Sequence, residues 1–331
     1  MTGERIWHGG DLGEARRLFP DAPAPWIDLS TGINPIAYPL PALPACAFTR
    51  LPEPADHAAL EETAARAYGV ADPACVIAAP GTQALISLLP FLVGARTVAV
   101  VAPTYGEHAR SWRATGALVR EVAGPEEAGD ADVLVLVSPN NPDGRVFPRA
   151  VLRDLAGGLA ARGGLLVVDE AFADLEPVES LAADLPEGAL VLRSFGKTYG
   201  LAGVRLGFAL VRGGLGARLR AALGPWAVSG PAIAVGRAAL ADRAWREAAM
   251  RARAADAARL DRLLAPLAGG AVRGTNLFRT IETGHAPEIF ATLGRAGIWV
   301  RRFQDAPGRL RFGLPGTEQA WTRLERALRA A

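Results

Sequence analysis

The chain has 331 residues, half of them apolar and about a fifth charged, which is the composition of a globular protein. Its 36 basic and 34 acidic residues leave a formal charge of +2, without a dense basic run or zinc-finger spacing, so no nucleic-acid partner is expected. Cys46 and Cys75 form no CxxC pair, no apolar run approaches the roughly 20 residues a bilayer requires, and the start MTGERIWHGGDLGEARR has no apolar core. A cytoplasmic enzyme with no disulfide framework, no membrane partner and no metal site is the expectation.

Residues 1–52 read as irregular and Pro-rich, with a turn-prone segment Ser30-Thr31-Gly32-Ile33-Asn34-Pro35. Residues 55–68 read as a helix with Asp56 as its N-cap. Short β-rich runs follow at 76–79, 97–102, 117–122, 132–138, 164–169, 189–194 and 206–211, with helical stretches at 82–93, 106–115 and 148–162. Several of these runs are apolar throughout, as strands buried on both faces are. The alternation predicts an α/β fold with a mostly parallel, doubly wound sheet. After Pro225 the texture changes to a long Ala/Arg-rich helical span at 231–267. Strand-like runs at 276–282, 298–302 and 309–314 come next, with helices near 286–296 and 317–330. This predicts a large domain over 46–224, with 1–45 and 225–331 forming an N-terminal segment and a smaller α+β domain.

Of the 36 basic residues only Lys197 is a lysine, leaving 36 − 1 = 35 arginines. Arginine stays protonated, whereas lysine can lose its proton and act as an amine nucleophile. Lys197 is either a survivor of drift or a position where the chemistry needs an amine.

Open α/β sheets place ligands beyond the carboxyl ends of their strands. Those ends carry, in order, Gly81-Thr82-Gln83, Tyr105, Asn140-Asn141-Pro142, Asp169, Ser194-Phe195-Gly196-Lys197 and Arg205. A Gly-led helix start can hold a phosphate, and a carboxylate ending an apolar strand is costly without a partner. Taken singly, each has an ordinary reading as a turn or a rim residue. Their order and spacing are more specific: 28 residues from Asn141 to Asp169, 28 from Asp169 to Lys197, and eight from Lys197 to Arg205.

The series resembles the fold-type I pyridoxal-phosphate enzymes of the aspartate aminotransferase superfamily. It is most similar to their histidinol-phosphate aminotransferase branch and, within it, to the enzymes that decarboxylate L-threonine O-3-phosphate in cobalamin biosynthesis. The resemblance implies pyridoxal 5'-phosphate as cofactor. Lys197 would bond its aldehyde and later move protons, and Asp169 would pair with the pyridine nitrogen. Asn141 would bond the ring oxygen and help hold substrate, and Tyr105 would stack on the ring. Gly81, Thr82, Ser194 and Arg205 would hold the phosphate. His108 either orients Asp169 or is a capping or surface histidine. Two departures stand out. Phe172 replaces a tyrosine that would bond the ring oxygen, and Leu51-Pro52-Glu53 replaces a Tyr-Pro-Asp whose tyrosine reaches the partner's cofactor.

The termini bear on substrate. By resemblance Arg311 binds the substrate carboxylate, with Arg309 as its rival, and Gly32 makes a backbone contact at the same end. Arg301 would grip a substrate phosphate, Arg302 alternating to the opposite strand face. The segment Trp7-His8-Gly9-Gly10-Asp11 resembles one that closes over that phosphate, which implicates His8 and Gly9. The implied reaction is decarboxylation of threonine phosphate to (R)-1-amino-2-propanol O-2-phosphate by a homodimer. The alternative is a histidinol-phosphate-type aminotransferase that uses 2-oxoglutarate.

Overall fold

Seven short apolar runs, most of them buried along their whole length, build the larger of two sheets. The computed structural model describes residues 8–330. In chain order its elements begin with α1 (Leu12–Leu18), β1 (Ile27–Leu29), α2 (Cys46–Thr49), α3 (Pro54–Tyr68), β2 (Val76–Ala79), α4 (Thr82–Val93), β3 (Thr97–Val101) and α5 (Glu107–Arg113). Then come β4 (Leu118–Val122), β5 (Val133–Val137), α6 (Arg149–Ala160), β6 (Leu165–Asp169), β7 (Ala189–Ser194), α7 (Phe195–Thr198), β8 (Gly207–Val211), α8 (Gly214–Leu223) and α9 (Gly230–Ala241). The last are α10 (Arg243–Leu264), β9 (Arg273–Thr275), β10 (Phe278–Glu282), α11 (Ala286–Arg295), β11 (Ile298–Arg302), β12 (Arg309–Gly313) and α12 (Glu318–Leu328). None of these helices is long and apolar enough to cross a membrane.

Two compact units emerge. The larger comprises Ala37–Asn141 and Arg145–Ala248, and the smaller comprises residues up to Ile36, Pro142–Gly144 and those from Ala249 onward. The larger sheet has the order β2-β8-β7-β6-β5-β3-β4. β8 runs antiparallel to both neighbours and the other pairs are parallel. The period of two along β5 shows why the strands are apolar throughout: Val133 and Val135 enter one core layer while Leu134 and Leu136 enter another.

The register gathers the strand ends at one edge. Val137 lies opposite Asp169, Asp169 opposite Leu192, and both Ser194 and Ala79 opposite Gly207. α3 starts one residue earlier than expected. Glu53 is its N-cap, Pro54 opens the first turn, and Asp56 sits at the third position, where its Oδ2 accepts from the Glu53 N–H at 3.2 Å. This reciprocal pair is a capping box, and proline favours the first helical position. The stretch 225–248 clusters with the larger unit, beyond the expected limit of 224, because Ala232, Ile233, Val235 and Ala239 of α9 join its core. The expected long helix is broken at Asp242, whose Oδ1 accepts from the Trp245 N–H at 2.9 Å and starts a new helix.

The smaller unit carries a sheet of order β1-β11-β12-β10-β9, with β1 parallel to β11 and the rest antiparallel. Ile289, Phe290 and Leu293 of α11 and Trp321 and Leu324 of α12 pack with Ile298, Val300, Leu310 and Phe312 of the sheet. β1 and α1 lie in the region read as irregular. β1 is three residues long, too short to show a period, and it exists through pairing with β11.

Candidate active site

In the larger unit the turn from β2 to α4 is a bare helix start. Gly81 is the N-cap, at φ 90°, with no side-chain cap, so the first amides of α4 face outward for an external acceptor. A Cβ on Gly81 would lie 2.8 Å from Nη2 of Arg205, and one on Gly207 would lie 2.6 Å from the Thr82 nitrogen. Only glycine at both positions lets this backbone, β8 and the Arg205 guanidinium crowd together. Arg205 itself adopts φ 55°, the one positive value outside glycine among the described residues. Such strain concentrates at functional positions. Ser194, buried, is in register with Gly207. Gly81, Thr82, Ser194 and Arg205 are thus brought close together around Gly207.

Asp169 ends β6 almost fully buried. Its Oδ2 lies 3.0 Å from Nε2 of His108 on α5, which is also buried, and its Oδ1 accepts from the Ala171 N–H at 2.9 Å. Burial raises the carboxyl's pKa. The hydrogen bond and charge of His108, the charge of Lys197 and the Ala171 N–H outweigh it, leaving the group below the ordinary carboxylate value. An ionised carboxylate only accepts, so His108 Nε2 carries the proton in this contact. The orienting role is therefore the one His108's geometry fits, and neither a cap nor a surface position is.

The Tyr105 ring stands edge-on to His108 at 6.1 Å, and its hydroxyl donates to Gln83 Oε1 at 2.9 Å, tying it to α4. Asn141 follows a buried neighbour that the sequence did not single out. Asn140 accepts from Thr104 Oγ1 at 2.7 Å and donates to the Pro103 carbonyl at 2.9 Å, which holds the two loops together. Lys197 sits half-buried on the one-turn α7 directly after β7, its Nζ 5.1 Å from the centre of the buried Phe172 ring.

In the smaller unit Arg311 on β12 is buried, and its Nη2 donates to the Ser30 carbonyl at 2.8 Å. Arg301 on β11 is its register partner. Burial first, then the positive field of Arg301, push Arg311 down to about 9, against an opposing pull from Asp28. A buried cation facing a second cation is best satisfied by an anion. Arg309 occupies the same strand face, but both its Nε and Nη2 are taken by Glu282 Oε1, at 2.9 and 2.7 Å. Arg302 turns the other way, 4.1 Å from the Phe290 ring centre and 3.5 Å from Glu14.

Gly9 is pressed on Ser30, where a Cβ would lie 2.3 Å from the carbonyl oxygen, and the Gly10 N–H donates to Ser30 Oγ at 2.7 Å. The His-Gly-Gly segment is therefore docked on the residue that receives Arg311, with His8 exposed and Gly32 buried two residues further on. Trp7 lies outside the described residues.

The family model described as "Aminotransferase class I and II" matches residues 43–328. The chain belongs to the aminotransferase class I and II family. Among relatives in this family, the threonine-phosphate decarboxylase of Pseudomonas aeruginosa is 44% identical over 325 residues, covering 97% of this chain and 96% of that one. A threonine-phosphate decarboxylase from a Sinorhizobium species is 41% identical, covering 98% and 97%. A solved histidinol-phosphate aminotransferase from Sinorhizobium meliloti, in complex with pyridoxal-5'-phosphate, superposes with a TM-score of 0.82 at 20% identity, covering 99% and 96%. At that identity the likeness speaks for the fold, which is the mostly parallel α/β fold of the class I and II aminotransferases.

Proposed function

We propose that this protein is a pyridoxal-phosphate-dependent threonine-phosphate decarboxylase. It converts L-threonine O-3-phosphate to (R)-1-amino-2-propanol O-2-phosphate, the linker unit of cobalamin. The observation that carries this reading is the pair Arg301 and Arg311 on adjacent strands, with Gly9 and Gly10 docked on Ser30 beside it. Two guanidiniums suit a substrate with a carboxylate at one end and a phosphate at the other. Identities of 41–44% over nearly the whole chain to two threonine-phosphate decarboxylases support the same substrate.

The larger unit fits the cofactor: a bare helix start that only glycine can form, a buried ionised carboxylate and the chain's one lysine. When bound, pyridoxal phosphate supplies a protonated ring that accepts the electron pair of a breaking bond at the substrate's Cα. The amides at Gly81 and Thr82, with Ser194 and Arg205, would hold its phosphate. Asp169, beside His108, would hold the proton on the ring nitrogen. Tyr105 would lie against the ring, and Asn141 would donate to the ring oxygen without the help of a hydroxyl at Phe172. Lys197 would bond the aldehyde carbon until the substrate's amine takes its place, and its freed ammonium would return a proton to Cα after carbon dioxide has left. Arg311 holds the carboxylate, with the backbone at Gly32. Arg301, His8 and Gly9 hold the phosphate. The orientation these contacts impose selects which Cα bond breaks.

The active species is a homodimer in this reading. Phe48, Leu51 and Trp226 are all more than half exposed, on segments that pack together where Gly230 meets the Ala47 carbonyl. Exposed apolar side chains on neighbouring segments support an interface there.

The deciding experiment offers threonine phosphate, serine phosphate and histidinol phosphate in parallel and measures carbon dioxide. Release from threonine phosphate without any 2-oxo acid is expected. A requirement for 2-oxoglutarate with accumulation of glutamate would establish the aminotransferase instead. Serine phosphate lacks one methyl, so discrimination against it is worth about 1–3 kcal/mol.

A further inference from the structure

Behind the edge where the site residues gather lies a buried ionic cluster that the reaction does not use. Arg193 on β7 donates from Nη1 to Glu170 Oε2 at 2.6 Å and to Ser180 Oγ at 3.1 Å, and from Nη2 to Asp174. The other Asp174 oxygen accepts from the Thr198 hydroxyl at 3.0 Å. Glu170 Oε1 accepts from the Leu181 N–H at 2.9 Å, and the guanidinium lies 4.6 Å from the centre of the Tyr68 ring. The Arg193, Glu170 and Asp174 side chains are each no more than 6% exposed.

Three members of this cluster are chain neighbours of site residues. Glu170 follows Asp169, Arg193 precedes Ser194, and Thr198 follows Lys197. Successive strand residues face opposite sides of a sheet, so the cluster grips the backbone from behind while Asp169 turns to His108. The need for a grip is local. α7 is four residues long, and a single turn has no cooperative stability of its own. Asp174, in turn, belongs to a three-residue helical turn after β6. Burial works against the Arg193 charge, but Asp174 and Glu170 overcome it and hold the guanidinium more firmly protonated than usual. Burying three ions gives little net stability over an apolar core, whereas it does fix geometry.

We propose that Arg193, clamped between Glu170 and Asp174, is a positioning residue that sets the relative placement of Asp169, Ser194 and Lys197 through their chain neighbours. The proposal rests on the cofactor reading above.

The test uses the full-length protein loaded with pyridoxal phosphate, as wild type, Thr198→Val and Arg193→Lys. Three quantities are read: the pH midpoint and induced circular dichroism of the Lys197-linked absorbance band, kcat at saturating cofactor, and hydrogen exchange at residues 194–199 of the cofactor-free protein. Thr198→Val deletes one hydroxyl at constant shape and should fold even if Arg193→Lys does not. It is expected to shift the midpoint by about half a unit, to lower kcat by about tenfold and to speed exchange in α7. A change in melting temperature alone, with midpoint, dichroism, exchange and kcat as in wild type, would make the cluster a fold stabiliser and overturn the proposal. Wild-type protein that takes up no pyridoxal phosphate would overturn the cofactor reading and this proposal with it. Wild-type uptake with indifferent variants overturns the positioning role alone.

Discussion

His108 Nε2 and Asp169 Oδ2 lie 3.0 Å apart, both side chains buried beneath the carboxyl edge of the larger sheet. Burial alone would raise the Asp169 pKa, and His108 is the first of the groups that reverse it. Removing that donor, as in His108→Phe, therefore raises the Asp169 pKa. The carboxylate charge exists above its pKa and is lost as pH falls through it. The acid limb of cofactor uptake should accordingly move to higher pH in the variant. Titrating uptake by absorbance from neutral pH downward checks this, and superimposable limbs for variant and wild type would refute it.

Lys197 is the chain's one lysine, which makes its chemistry open to direct assay. Borohydride reduction of the cofactor-loaded protein should fix the pyridoxyl group on the peptide containing Lys197. Lys197→Ala should lose the visible band and turn over near background. A label found elsewhere, or an unchanged spectrum in the variant, rules out the assigned nucleophile.

These two residues differ in how far the sequence reveals them. Lys197 is legible because it is rare and stands at a fixed spacing from Asp169 and Arg205. The strands that carry the site are legible too, since burial on both faces makes them apolar runs. His108 was ambiguous because its burial depends on α5 folding back beside β6. Arg193 was invisible: it reads as one arginine among 35, and its partners Glu170 and Asp174 lie 23 and 19 positions away. Arg309 and Arg311 share a strand face by period, and only Glu282, across on β10, separates them.

Gly81→Ala should act on the cofactor more than on the fold. The new methyl would meet the Arg205 guanidinium at 2.8 Å, and the φ of 90° is unfavourable for a side chain. The flexible arginine can give way, but in doing so it leaves the place proposed for it beside the cofactor phosphate. The backbone strain costs about 1–2 kcal/mol. Losing the Arg205 contact should weaken pyridoxal phosphate binding by about tenfold, equivalent to about 1.4 kcal/mol. Comparing the cofactor's apparent Kd with the melting temperature of the cofactor-free protein separates the two effects. Unchanged affinity would show that Arg205 does not serve the phosphate.

Arg311 and Arg309 should separate cleanly by substitution. Arg309→Ala breaks a partly exposed pair with Glu282, which is worth about 0–1 kcal/mol, and should leave kcat/KM within about fivefold of wild type. Arg311→Gln removes a buried, hydrogen-bonded cation, at a cost of about 2–5 kcal/mol in substrate binding, or at least about thirtyfold in kcat/KM. A large loss in Arg309→Ala would exchange the roles of the two arginines.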